Sequence, residues 1–250
     1  MLQELPEIER ARWHALWLLA DPGYSFGVIE PDSERPPAAV NGRSLTRKGL
    51  QTRDRIVTAA ADLMQARGVA RTTIEDIQAA AGVSSSQLYH YFADKAALVA
   101  AVIELQGQRV LDVQHLGLDR LTCLDDLWRW RDLVVGIRTA QNCIGGCPLG
   151  SLASDLSETD ALARAQLARW FAEWERVLRD GLAAMAAAGQ FTSGTDTDRL
   201  ALALLAATQG GLLLSQVNRE TIALAAAMDT VITQIGAHLT EAARLAVRRS

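Results

Sequence analysis

Between Gly82 and Phe92 the chain reads GVSSSQLYHYF. Only Val83, Leu88 and Phe92 suit burial, whereas Ser85, Ser86, Gln87, Tyr89, His90 and Tyr91 all carry hydrogen-bonding groups. Ser84 and Gln87 stand at capping-box spacing, which starts a helix here. A helix with such a front is chemically fitted to a DNA major groove. Serine hydroxyls serve as donor or acceptor at a base edge, and a glutamine amide does both. The hydroxyls of Tyr89 and Tyr91 and the imidazole of His90 suit phosphate oxygens, and Lys95, on the first turn of the next helix, reaches toward the same backbone. An ordinary capped surface helix has the same pattern, so the surrounding elements must decide.

Two other groups of residues could do chemistry. Cys143 and Cys147 are four apart, but the four histidines, at 14, 90, 115 and 238, are scattered. A metal site therefore lacks ligands, and neither a metal nor a cofactor is expected. A redox-sensing pair or a thiol nucleophile needs a basic partner that the sequence does not reveal. Gly145, Gly146 and Pro148 favour a structural loop-to-helix junction instead. The second group is aromatic: Trp128, Trp130, Trp170, Phe171 and Trp174. Trp170 and Trp174 share a helix face at i, i+4 spacing. They can line a cavity for an apolar ligand, with Arg138, Gln141 and Asn142 supplying polar contacts; plain core packing is the competing reading.

The elements that must position these residues are helical throughout. Hydrophobic content is 49%, aromatic content only 5%, and Ala and Leu dominate, which favours helix over strand. A helix starts near Thr46, buries Ile56, Ala60, Leu63 and Met64, and ends at Gly68. Thr72 with Glu75, or Thr73 with Asp76, opens a second helix, which Gly82 stops. The SSSQLYHY helix is third, and Asp94 caps a long fourth one carrying Leu98, Val102 and Leu105. Two short helices joined by a tight AGVS turn and flanked by long ones outline a helix-turn-helix.

Further helices are expected over roughly 122–142, after Cys147-Pro148, from a Ser157/Asp160 cap to about Ala188, from Asp196 or Thr197 to about Asn218, and from about Thr221 to Val247. The last two are rich in small residues. Ala203, Ala207, Gly210, Gly211 and Leu214 on one, with Ala225, Ala226, Ile232, Ile235 and Leu239 on the other, suit either an intrachain core or a four-helix interface with a second copy. Residues 21–42 hold four prolines and three glycines and read as a linker. The expected division is an N-terminal extension over 1–42, a three-helix DNA-binding domain over 43–94 and a second helical domain over 95–250.

Charge supports this division. The chain carries −4 overall, yet residues 43–95 hold eight Lys or Arg against five Asp or Glu, a local +3 that leaves −7 for the rest. A basic portion on an acidic body fits a protein that meets phosphate through one part only. No apolar run is expected to approach the roughly 18–20 residues of a membrane span. The N-terminus, acidic and interrupted by arginines, is not a secretory leader, so the protein is expected in the cytoplasm.

The segment TTIEDIQAAAGVSSSQLYHYFADKAALV resembles the DNA-binding signature of TetR-type transcriptional regulators over about residues 48–105. The resemblance implies a dimeric, all-α repressor with a C-terminal ligand-binding and dimerisation domain. It binds palindromic double-stranded operator DNA and is released by a small hydrophobic or aromatic effector. Carried over by position, Thr72 or Thr73, Tyr89, Tyr91 and Lys95 touch phosphates, while Ser85, Ser86 and Gln87 face bases. Ser86 stands where many members have Gly, and Gln87 where they often have Thr or Ser, so an operator sequence does not carry over. NCIGGCPLGSLASDLSETD resembles the corresponding segment of the branch that includes the LmrA and YxaF regulators, which points to planar aromatic or hydrophobic effectors. The expected effector site is Trp128, Arg138, Gln141, Trp170, Phe171 and Trp174. A redox-sensing regulator or thiol-dependent enzyme using Cys143 and Cys147 is the alternative.

Overall fold

A computed structural model describes residues 39–40, 43–118 and 121–247 of the chain. The helix expected over residues 1–20 and most of the linker after it lie outside the described residues. At the linker's end Ala39–Val40 (β1) and Arg43–Ser44 (β2) form a two-residue antiparallel pair, Ala39 opposite Ser44. Apart from an isolated antiparallel bridge between Phe191 and Leu239, everything else described is helix, turn or loop, in two compact units.

The first unit holds α1 (Arg47–Arg67), α2 (Ile74–Ala81), α3 (Ser85–Tyr91), the start of α4 (Lys95–Leu118) as far as Gln108, and residues Ser151–Ala168. Its core is Ile56, Val57, Ala60, Ile77, Leu88, Phe92, Leu98 and Val102, all buried. The local signals act largely as expected. Gly49 N–H donates to Thr46 Oγ1 at the N-cap of α1, and Gly68 ends that helix at φ 85°. Of the two capping boxes available to α2, Thr73/Asp76 is the one formed. Gly82 takes φ 61° in the turn between α2 and α3, a left-handed position that glycine adopts without a Cβ penalty. Asp94 Oδ1 accepts from Ala97 N–H at 2.7 Å and starts α4. This unit extends past residue 94 because the first turns of α4 supply Leu98, Val99, Val102 and Ile103 to its core.

The second unit holds the rest of α4, α5 (Leu124–Ala140), the start of α6 (Pro148–Leu156), α7 (Ala161–Ala187) from Arg169, α8 (Thr197–Asn218), α9 (Ile222–Ala237) and α10 (Glu241–Val247). Three expectations need correction. The cap of α7 is Asp160 alone, whose Oδ1 accepts from Leu162 and Ala163 N–H, both at 2.9 Å; Ser157 plays no part in it. The single helix expected over 221–247 is broken at His238–Thr240. There Thr192 N–H donates to His238 O and Thr240 N–H to Gln190 O, a pairing with the turn after α7 that no helical pattern announces. Finally, α8 does reach the length and apolarity of a membrane span, with a mean hydropathy of 1.6 over its best window. That apolarity has another use here. Gly211 brings α8 so close to α9 that a Cβ added there would lie 2.6 Å from Leu224 Cα, and Leu204, Thr208 and Ser215 on the same side are buried.

This packing also sorts the small-residue stripes. Gly211, Ile232, Ile235 and Leu239 belong to the intrachain core. Ala203, Gly210 and Leu214 remain exposed, together with Leu202 and Leu213.

Candidate nucleic-acid interface

The candidate recognition element, the second helix of the helix-turn-helix, is α3. Its N-cap Ser84 accepts from Gln87 N–H, and Gln87 Oε1 accepts in return from Ser84 N–H at 3.0 Å. Leu88, with no exposed surface, and the nearly buried Phe92 anchor the helix, and Arg53 stacks its guanidinium 5.4 Å from the Phe92 ring centre. The other side faces outward: Ser85, Ser86, Gln87, Tyr89 and His90 are all exposed, Tyr89 by 52%. Tyr91 is half-buried, with its ring edge-on to His90 at 5.0 Å. Because the cap uses the Gln87 carbonyl oxygen, the amide NH2 is the part free for a base edge. That group donates, so it matches O6 or N7 of guanine or N7 of adenine. Gln87→Ala is expected to cost about 1–3 kcal/mol at one base pair per half-site and to relax the preference there. Binding to operator variants substituted at single positions measures this.

The turn between α1 and α2 is held with unusual care. Lys95 Nζ donates to Val69 O at 2.8 Å, Asp155 Oδ2 accepts from Val69 N–H at 2.8 Å, and Thr72 Oγ1 donates to Gly68 O at 2.8 Å. Both backbone groups of one buried residue are thus gripped by side chains from two other helices. Arg55 Nε donates to Ala81 O at 2.8 Å and fastens the end of α2 to α1. These contacts change the reading of two residues. Thr72 has no exposed surface and its hydroxyl is spent on Gly68, so it cannot touch DNA. Its exposed neighbour Thr73 remains available, although its hydroxyl already bonds Asp76. Lys95 is half-buried, and its ammonium serves the Val69 carbonyl.

Asp76 accepts from the backbone and hydroxyl of Thr73 and pairs with Arg67, and the Thr73 hydrogen bonds hold its carboxyl below the ordinary value. Arg67 is therefore neutralised locally. Arg47, Lys48 and Arg71 are exposed and stand in or beside the same helices as Thr73. Nothing in the sequence singles out these three individually. Their only signal was the local charge surplus.

In the second unit the residues expected around an effector divide into two groups. Trp170 and Trp174 lie one turn apart on α7, both buried, with Phe171 half-buried between them; Trp128 on α5 is half-buried. Arg138 is committed to the loop after α5: Nη1 donates to Gly146 O at 2.7 Å and Nη2 to the Gln141 side-chain oxygen. Burial lowers the Arg138 pKa, against which the facing Cys147 and Cys143 act. Cys147 is buried at the start of α6, and burial pushes its thiol up, opposed by N–H groups of Gly150 and Leu149 and by the Gln209 amide. A thiol held protonated in this way is a poor nucleophile.

A predominantly helical fold whose capped, polar-fronted second helix of a helix-turn-helix stands outward, near cations that have no carboxylate partner among the described residues, belongs to the class of helix-turn-helix DNA-binding regulators. Comparison with known proteins makes the class specific. Residues 56–102 match the bacterial regulatory proteins of the tetR family, and residues 117–231 match the tetracyclin repressor-like C-terminal domain. The chain belongs to the TetR family of transcriptional regulators. It is 28% identical over 187 residues to an HTH-type transcriptional regulator encoded in the lacX 3' region of Lactococcus lactis subsp. lactis, spanning 73% of this chain and 92% of that one. It is 37% identical over 79 residues to the HTH-type transcriptional repressor KstR2 of Mycolicibacterium smegmatis, 29% of this chain and 38% of that one. A TetR transcriptional regulator from Chloroflexus aurantiacus has a similar crystal structure, with a TM-score of 0.68 at 28% identity over 78% of this chain and 98% of that one. The protein is a DNA-binding regulator and not an enzyme, so the thiol-dependent enzyme reading falls.

Proposed function

We propose that this protein is a homodimeric repressor that binds palindromic operator DNA in the cytoplasm and leaves it when a small aromatic or hydrophobic effector enters the second unit. The outward polar front of α3 carries the DNA-binding part of this reading. Ser85, Ser86 and Gln87 face base edges, and Thr73, Tyr89, His90, Tyr91, Arg47, Lys48 and Arg71 supply phosphate contacts.

Dimerisation through α8 is supported by its outer side. Leu202, Ala203, Ala206, Gly210, Leu213 and Leu214 are exposed at helical spacing, an apolar stripe that water does not favour and a two-fold-related copy would cover. Effector binding is supported by polar atoms left over in the core. Trp170 Nε1, Trp174 Nε1 and Ser215 Oγ are buried and have no hydrogen-bond partner among the described residues. Each such group costs about 1–3 kcal/mol unless satisfied. An aromatic effector with an acceptor oxygen would satisfy the indoles while packing on their rings. Arg138 and Gln141 act on this site through the loop they hold.

Coupling runs through the grip on Val69. Asp155 is on α6, whose first residue follows Cys147, and it holds the turn that opens the helix-turn-helix. An effector that displaces α6 pulls on that turn and shifts the population away from the DNA-binding geometry. Asp155→Ala is expected to leave the buried Val69 N–H unsatisfied and to lower operator affinity roughly tenfold, on the scale of 1–3 kcal/mol for such a group. Titration of operator DNA with and without the substitution measures it.

The reading is tested by selecting bound fragments from a sheared bacterial genomic library at fixed salt. Recovery of a shared palindromic site supports it; recovery of fragments without a common site contradicts it.

A further inference from the structure

A pocket of about 610 Å³ opens in the second unit where the loop after α5 meets the turn between α8 and α9, and none of the tryptophans lines it. Its walls include Asn142, Cys143, Ile144, Arg219, Glu220 and Ile222. Three of these, Asn142 (φ 50°), Cys143 (φ 55°) and Arg219 (φ 58°), are the only non-glycine residues with positive φ among the described residues. Such backbone is costly for residues with a Cβ, and it persists where surrounding structure holds it for a purpose. The pocket is held from both sides by one bond: Arg219 Nη1 donates to Cys143 O at 3.1 Å. Among the described residues the remaining guanidinium donors of Arg219 have no carboxylate partner, and the exposed Glu220 carboxylate has no cationic one. Ile144 and Ile222, each more than 60% exposed, add aliphatic surface to the same walls.

We propose that this pocket is a second small-molecule site, separate from the tryptophan-lined one, and that it takes a zwitterion with an aliphatic side chain, an α-amino acid of the leucine type. The guanidinium offers a planar fork for the carboxylate, Glu220 accepts from the ammonium, and Ile144 and Ile222 cover the side chain. The pocket's two ionised groups cancel, so neither a simple anion nor a simple cation pairs with both. Binding fixes the loop against the α8–α9 turn, at the end of the helix assigned to dimer contacts.

The test is calorimetric titration of the full chain with three probes: L-leucine, its amide, which lacks the carboxylate, and 4-methylpentanoate, which lacks the ammonium. L-Leucine is expected to bind at least tenfold more tightly than either analogue. Arg219→Gln is expected to abolish the preference over the amide, and Glu220→Gln the preference over 4-methylpentanoate. Both side chains are exposed, and circular dichroism checks that the variants fold. Absence of leucine binding, equal binding of all three probes, or leucine binding unchanged in both variants overturns the proposal. None of these results bears on operator binding, which the genomic selection reads separately.

Discussion

Leu88→Ala is expected to lower the stability of the DNA-binding unit by about 2–5 kcal/mol, the range for truncating a fully buried leucine, and to abolish specific operator binding at ordinary protein concentrations. Leu88 has no exposed surface and is the only residue of α3 in the core. A seven-residue helix has almost no stability of its own, so its orientation depends on this side chain, on the Ser84/Gln87 cap and on Phe92 just beyond it. The loss is a large part of what a domain has in total, roughly 5–15 kcal/mol. Urea unfolding followed by circular dichroism measures the stability, and DNA titration the affinity. Ser86→Ala is the control. It removes an exposed hydroxyl from the same helix, so it is expected to leave the urea midpoint in place and change only DNA binding. If Leu88→Ala unfolds at the wild-type midpoint, α3 is anchored by something other than this contact.

Leu214→Glu is expected to convert the protein to monomers and to weaken operator binding by about 10²–10⁴-fold, the gain that linking two binding modules provides. Leu214 is 51% exposed beside Leu213 at 60%, so the substitution costs the isolated chain little. In a two-fold interface the same change enters twice, and each carboxylate would be buried without a partner, which costs several kcal/mol. Sedimentation velocity at micromolar concentration reads the oligomeric state. A variant that stays dimeric places the interface elsewhere on the chain. A variant that is monomeric yet binds operator unchanged removes the need for two joined recognition helices.

Local signals made much of this structure legible in advance. Caps at Thr46, Ser84, Asp94 and Asp196 and stops at Gly68 and Gly82 act over three or four residues, and they appear in the sequence as they do in the fold. Partners outside these caps are not announced in the sequence. Thr72 and Thr73 are indistinguishable as neighbours, but the Gly68 carbonyl claims one and leaves the other outside. Lys95 reads as a free cation until the Val69 carbonyl, 26 residues away, is found at its ammonium. The break at His238–Thr240 depends on Gln190 and Thr192. The small residues of α8 split between two faces, and periodicity alone did not say that Gly211 meets Leu224 while Gly210 meets nothing. The pocket beside Arg219 was invisible for the same reason, since its walls come from segments about 75 residues apart.

In the proposed mode of binding, two copies of α3 enter two successive major grooves of a palindromic site. Methylation protection of guanine N7 on the selected operator tests it most directly, because N7 lies in the major groove. Two symmetric clusters of protection are expected, with centres about 10 base pairs apart, one helical turn, or a multiple of it, and each cluster is weakened by Gln87→Ala. Protection in a single cluster, or none while the protein is bound, would contradict it.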